Sequence, residues 1–105
     1  MKKTGDYHEF LIEGLKDPEE AATYLNVVLE EGDPKMFLVA LRNVAEARGG
    51  MSGLARNARL NRANLYRILS KRGNPEATSL NSILKALGLK LLVGVDETQK
   101  LRRAA

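Results

Sequence analysis

The side chains with the most evident chemistry in this sequence lie close together between residues 61 and 71. Apolar residues recur there at helical spacing, so we expect one helix whose outer face is polar. Arginine pairs bidentately with guanine and asparagine with adenine, while short or hydroxylated side chains suit phosphate. Arg62 and Arg67 lie about one and a half turns apart, so both can enter the same groove. These residue types and their spacing favour contact with duplex DNA.

The candidate contact residues are the outward positions of this helix and polar positions of the segment that precedes it. They are Ser52, Arg56, Asn61, Arg62, Ala63, Asn64, Tyr66, Arg67, Ser70 and Lys71. An ordinary bundle helix would also turn polar residues to solvent, and spacing alone leaves the two interpretations about even. For Tyr66, stacking on a base or sugar and covering the edge of a helix pair stay equally open.

Charge is divided unevenly along the chain. Residues 1–33 carry nine acidic residues and three lysines, whereas residues 34–105 carry fourteen lysines and arginines and four acidic residues. From Gly49 to Gly73 there are six basic residues and no acidic one, which favours a polyanion as the partner of this segment. The acidic part would instead attract a basic partner, although a merely solvated surface explains it equally well.

Residues that would support catalysis or metal binding are scarce. The chain has no cysteine and one histidine, His8, which we expect on the surface. Gly49-Gly50 is not followed by the Lys-Ser/Thr pair that a phosphate-binding loop requires. Glu19 and Glu20 are explained by stabilisation of a helix start. We therefore expect no catalytic residue, no cofactor and no metal.

Proline, glycine and capping residues divide the chain into short helices. Asp17-Pro18 and Asp33-Pro34 each combine an N-cap with proline at the first helical position. We predict helices over about residues 6–15, 18–31, 34–48, 52–59, 62–72 and 78–87; the last three have Ser52, Asn61, and Thr78 or Ser79 as N-caps, and Gly32, Gly49, Gly73 and Gly88 are stops. Residues 89–95 are short, apolar and rich in branched side chains, which predicts a strand. The predicted fold is an all-α compact bundle of five to six short helices, with a C-terminal strand that could pair in a dimer.

Helical periodicity also assigns the core. The expected inward residues are Phe10, Leu11 and Leu15 of the first helix, Ala22, Leu25, Val28 and Leu29 of the second, Phe37, Ala40, Leu41, Val44 and Ala45 of the third, and Leu80, Ile83, Leu84 and Leu87 of the last. In between, Leu54, Ala55 and Ala58 would face Leu65, Ile68 and Leu69, with Leu60 in the connecting turn. Small Ala55 would let the two helices cross closely.

Several short motifs carry a resemblance to known families. LA at 54–55, LNR at 60–62, LYR at 65–67, GNP at 73–75 and LKALG at 84–88 resemble the Cro/repressor-type helix-turn-helix. With LEEGDP at 29–34, ALRNVA at 40–45, GGM at 49–51 and ALGL at 86–89, the chain is similar to the addiction-module antidote (antitoxin) family of bacteria, HigA-like, over roughly residues 17–95. One departure is Arg59, which stands where helix-turn-helix units usually place glycine. It must either adopt a left-handed backbone or lie in a differently shaped turn.

The resemblance implies a homodimeric repressor that binds its own operon's promoter and neutralises a RelE-type mRNA-cleaving toxin. It also implies that positions matching Arg62 and Arg67 contact base edges, while those matching Asn61 and Ser70 approach phosphate. A phage-type regulator without a toxin, and an antidote that binds protein but not DNA, remain alternatives. We expect a cytoplasmic protein of one domain, made of acidic helices at 6–33 that meet the toxin, a DNA-binding core at 34–88, the strand at 89–95 and a flexible tail at 96–105.

Overall fold

A computed structural model describes residues 4–70 and 72–98 of the chain. These residues form six α-helices: α1 (Thr4–Gly14), α2 (Pro18–Glu31), α3 (Pro34–Ala47), α4 (Gly50–Ala58), α5 (Arg62–Ile68) and α6 (Ala77–Ala86). The prediction of an all-α fold is confirmed. Lys71 and most of the predicted tail, from residue 99 onward, lie outside the described residues.

The starts of α2 and α3 follow from the same local signal. Asp17 accepts a hydrogen bond from the backbone N–H of Glu19 at 2.9 Å, and Asp33 accepts one from Lys35 at 2.9 Å. Each proline follows its cap at a position where the missing N–H would have had no helical partner. Both predicted helix starts are confirmed.

Helix α3 lies at the centre of the molecule and packs against α1, α2 and α4. Its residues Leu41, Val44 and Ala45 are completely buried. The remaining buried core comes from further positions of α3, from α2, α4, α5 and α6, and from the residues that follow α1, α5 and α6: Leu15, Ala21, Leu25, Phe37, Leu38, Ala40, Leu54, Ala55, Leu65, Leu69, Ile83, Leu84 and Leu87. Among the described residues, no polar or charged side chain is buried.

Two predicted core residues lie on the surface instead. Phe10 is 72% exposed and Leu29 is 49% exposed. Helix α2 turns Ala21 and Leu25 fully inward, with Ala22 and Val28 only partly covered. Leu29 therefore falls at the edge of the buried face, and Phe10 lies on the side of α1 turned away from α3. Helical periodicity predicts an apolar face, but packing against the neighbouring helices determines which of its residues are buried.

Helices α4 and α6 begin earlier than predicted. Helix α4 begins at Gly50 with Gly49 as its N-cap, so Ser52 lies inside the first turn and is not a cap. Both glycines have positive φ, 103° and 78°, which lets the chain turn sharply out of α3. Helix α6 begins at Ala77, one residue before Thr78, after Glu76 as N-cap.

Helix α5 ends at Ile68 and not at Arg72. The chain folds back on the end of the helix, and Gly73 donates a hydrogen bond to the carbonyl of Ser70 at 2.8 Å. A Cβ on Gly73 would lie 1.8 Å from the carbonyl oxygen of Ile68. A side chain at position 73 would prevent this close approach, so glycine is required there. The contact across the turn ends α5 at Ile68, before the predicted end at Arg72.

The predicted strand at 89–95 is not formed, and the described residues contain no strand. Leu89 packs against the core, whereas Leu92 is 80% exposed and Val93 is fully exposed. A strand requires a second extended segment to receive its backbone hydrogen bonds, and the described part of a single chain offers none. No helix in the described ranges is long and apolar enough to cross a membrane.

Arg59, between α4 and α5, adopts the left-handed conformation with φ 57° and ψ 41°. It is the one non-glycine residue with positive φ among the described residues. Of the two turn geometries left open by the sequence, the left-handed one is therefore confirmed. Two hydrogen bonds fix this turn, from Arg59 N–H to the Arg56 carbonyl at 3.3 Å and from Leu60 N–H to the Ala55 carbonyl at 2.9 Å.

The strain at Arg59 gives a stability prediction. Arg59→Gly should leave the free energy of unfolding unchanged or raise it by up to about 1 kcal/mol, because relief of left-handed strain opposes the larger entropy of glycine in the unfolded chain. Arg59→Val should lower it by more than about 1 kcal/mol, since a β-branched residue fits this conformation poorly. Urea denaturation measures both, and Arg56→Val in the body of α4 is the control. Equal losses for both valine variants would contradict the account.

Candidate nucleic-acid interface

Helices α4 and α5 form a closely packed pair joined by Arg59, Leu60 and Asn61. Leu54 and Ala55 of α4 are buried in the same core cluster as Leu65 of α5. Ala58, Leu60 and Ile68 are partly buried against that cluster, and Leu69 is fully buried. The inner faces predicted for this helix pair are therefore confirmed, and its apolar contacts set the position of α5.

The outer face of α5 carries the polar side chains that the sequence singled out. Arg62, Ala63, Tyr66 and Arg67 are exposed, while Asn64 is half-buried. The segment thus presents two guanidinium groups and one amide along a helix that has no acidic residue. The structure places these side chains on one element, and their proposed role with DNA stays a prediction.

Two contacts on α5 restrict its arginines. The Arg67 guanidinium donates a hydrogen bond to the Asn64 side-chain oxygen. The Arg62 guanidinium lies over the Tyr66 ring, 5.7 Å from the ring centroid, within the range of a cation–π contact. Both long side chains are therefore held along the helix surface and lose less rotamer freedom on meeting a ligand.

Asn61 and Ser70 mark the two ends of this surface. The Asn61 side-chain oxygen accepts a hydrogen bond from the Asn64 N–H at 3.2 Å, which confirms Asn61 as the N-cap of α5. The Ser70 hydroxyl donates to the Arg67 carbonyl at 2.8 Å. The Asn61 oxygen thus serves the helix start, and its side-chain amide N–H groups are the donors that it can offer to another molecule.

The remaining candidates are spread around this helix. Ser52 and Arg56 are exposed on α4, the helix that precedes the turn. Lys71 lies outside the described residues. Most of the candidate residues therefore lie on or beside α5, and Ser52 and Arg56 lie on the adjoining helix α4.

Sequence reasoning missed a contact between the N-terminal helix and this region. A depression of about 370 Å³ is lined by Tyr66 of α5, Met51 of α4, Arg42 and Glu46 of α3, and His8 of α1. At its edge, His8 Nε2 lies 2.9 Å from Glu46 Oε2. These two residues are 38 positions apart, and no local pattern in the sequence would pair them. Helix α1 is thus tied to α3 beside α5.

The capping bond of Asn61 gives a prediction that is independent of any ligand. Asn61→Ala should lower the free energy of unfolding by about 1 kcal/mol, because the first turn of α5 loses the acceptor for one of its N–H groups. Asn57→Ala, an exposed asparagine inside α4, is the matched control and should change it by less than about 0.5 kcal/mol. Thermal or urea unfolding distinguishes the two, and indistinguishable variants would contradict a stabilising cap.

Comparison with known proteins places the whole helical arrangement in one family. The family model described as "Probable addiction module antidote protein" matches residues 6–95. An uncharacterised protein of Haemophilus influenzae is 41% identical over 81 residues, which cover 77% of this chain and 82% of that protein. No solved structure matches. The matched range extends from α1 to the segment after α6, and the chain therefore belongs to the probable addiction module antidote protein family.

Proposed function

We propose that the protein is a sequence-specific DNA-binding repressor and the antitoxin of a toxin–antitoxin module. In this proposal it binds its own operon's promoter through a helix-turn-helix made of α4 and α5, within a DNA-binding core of residues 34–88. It also neutralises a RelE-type mRNA-cleaving toxin. Membership of an antidote family implies a toxin partner. The observation that carries the DNA-binding part is the exposed face of α5, with Arg62 and Arg67 held by neighbouring side chains.

The dimensions of α5 suit a major groove. An α-helix with its side chains is about 10–12 Å across, and the major groove of B-DNA, about 12 Å wide, admits it. Arg67 and Arg62 would read base edges, with Asn64 holding the first and Tyr66 the second. Ser52 and Arg56 on α4 would contact the phosphate backbone, because the first helix of such a pair crosses it. Ala63 leaves room for the helix to approach the bases closely.

A phage-type regulator without a toxin would share this DNA-binding surface. Membership of the antidote family favours the antitoxin, because such a family implies a toxin partner. A short reading frame for a basic RelE-like protein beside this gene is the first discriminating observation. An antidote that does not bind DNA would still bind the toxin, but it would not bind the promoter fragment in the experiment described below.

Mutations can distinguish the side chains proposed to contact base edges from those proposed to contact the phosphate backbone of DNA. Arg67→Ala should weaken binding to the promoter fragment by about 1–3 kcal/mol and remove the preference at one base pair. Arg56→Ala should weaken binding to all sequences alike and reduce the slope of log affinity against log salt by roughly one unit. Both side chains are exposed, so the melting temperature should stay nearly constant.

The measurement is binding to the promoter fragment and to its single-base variants at two salt concentrations. Asn64→Ala is a useful third variant, since it leaves Arg67 in place but removes the acceptor that positions it. It should weaken the same base preference by less than Arg67→Ala does. If Arg67→Ala and Arg62→Ala both reduce affinity uniformly with no base losing its preference, α5 is not the reading helix.

The dimer is proposed to form through the segment that follows α6. This segment has four exposed apolar side chains close together in the sequence: Leu91, Leu92, Val93 and Val95. A second copy of the chain would cover this apolar surface. A two-fold axis there would place the two α5 helices about 34 Å apart, one turn of DNA.

Substitution within this segment tests self-association. Leu92→Glu combined with Val93→Glu should shift the protein from dimer to monomer in sedimentation experiments, because two charges would enter the apolar contact. The control pair, Val27→Glu with Met36→Glu, changes apolar side chains that are also exposed, at 50% and 49%, but lie outside this segment. An association equilibrium that the Leu92/Val93 pair leaves unchanged would exclude this segment from the interface.

A further inference from the structure

A wide groove runs between α1 and α2, on the acidic part of the chain. It has a volume of about 950 Å³. Its apolar lining comes from both helices and from the turn between them: Tyr7, Phe10, Leu11, Leu15 and Tyr24. Leu15 is buried in the core and forms the floor, whereas Tyr7 is 67% exposed and Phe10 is 72% exposed at the wall.

Large aromatic side chains exposed at a groove are characteristic of binding surfaces. Aromatic residues are enriched at the centres of protein interfaces and carry much of the binding energy there. Phe10 and Tyr7 are three positions apart on α1, so their side chains project over the same side of the helix. The groove therefore offers an apolar surface larger than scattered exposed residues would give.

The rim of this groove is acidic. Asp17, Glu19 and Glu20 line it, and no lysine or arginine is among its described lining residues. The Glu20 carboxylate crosses close to the end of α1, where a Cβ on Gly14 would lie 2.8 Å from its Oε2 atom. Lys16, in the turn between the two helices, has its ammonium 2.7 Å from Glu13 Oε2. The rim thus presents negative charge beside an apolar floor.

We propose that this groove binds an amphipathic helix of the toxin whose apolar face is flanked by basic residues. This inference rests on the proposed function, since it names the surface that receives the toxin. Helices commonly dock into apolar grooves through residues at every third or fourth position, and α1, with eleven residues, is about 16 Å long. The groove can therefore hold about three turns. Opposite charge at the rim orients the helix and accelerates encounter.

Deleting the N-terminal segment cannot test this surface. Leu15, Ala21 and Leu25 of that segment belong to the core, so a chain without residues 1–33 loses part of its fold. Exposed side chains of the groove are the appropriate targets in the full-length protein. Phe10→Glu places a charge on the apolar wall, and Glu19→Gln with Glu20→Gln neutralises two positions of the rim.

The experiment measures binding of the toxin encoded beside this gene to the full-length variants. Phe10→Glu should weaken binding at least tenfold, and the Glu19/Glu20 pair should weaken it several-fold at low salt and little at high salt. Matched controls lie on α2 outside the groove lining: Val27→Glu for the wall and Glu30→Gln with Glu31→Gln for the rim. Both controls should bind as the unaltered protein does, and circular dichroism should show the same helix content for all variants.

The outcomes separate this inference from the proposed function. If the unaltered protein binds the toxin and both groove variants bind it equally well, the groove inference is overturned while the antitoxin function stands. If the unaltered protein does not bind the toxin, the antitoxin function is excluded. Titration of the protein with a synthetic helical Leu/Lys peptide then tests whether the groove binds an amphipathic helix. Amide shifts confined to α1 and α2 support the groove, whereas scattered or absent shifts overturn it. A change from dimer to monomer in Phe10→Glu would mean that a second copy occupies the groove, which also overturns the inference.

Discussion

Burial of α3 is the constraint on which the rest of the structure depends. Its residues Leu41, Val44 and Ala45 lose all contact with water, and three other helices pack around them. Because the described core contains no polar or charged side chain, helix positions are set by the shapes of apolar side chains and not by buried hydrogen bonds. The polar chemistry of the chain is therefore left almost entirely to its surface.

The position of α5 follows from this core in two steps. Helix α4 packs on α3, and α5 and α6 pack on α4. The sharp turn at Gly49-Gly50 sets the direction of α4, and the left-handed Arg59 sets the direction of α5. A small helix on the edge of the molecule is in this way fixed relative to the centre, so that its outer side chains can be polar without affecting the fold.

Local signals account for the parts of the fold that the sequence predicted well. Asp-Pro pairs, the Asn61 cap and the inner faces of α4 and α5 depend on residues a few positions apart, and all were found as expected. The predictions that were wrong concern positions whose structure is determined by a contact with another part of the fold. Phe10 lies outward because α3 covers another side of α1, α5 stops early because Gly73 folds against it, and residues 89–95 form no strand because a strand needs a partner. The His8–Glu46 contact joins two helices that no short-range pattern relates. For the candidate interface, exposure and neighbours are now defined, while contact with bases remains a proposal.

The shortness of α5 limits how much information one copy of the chain could extract from DNA. Base pairs rise about 3.4 Å each, so a helix of seven residues faces about three of them. With four possible pairs at each step, that distinguishes on the order of 64 sequences, against on the order of a million or more positions in a genome. Such a reader would need extra discrimination from a second copy or from the bending and groove width of the site. If α5 reads DNA as proposed, assembly and DNA shape would therefore be part of its recognition code.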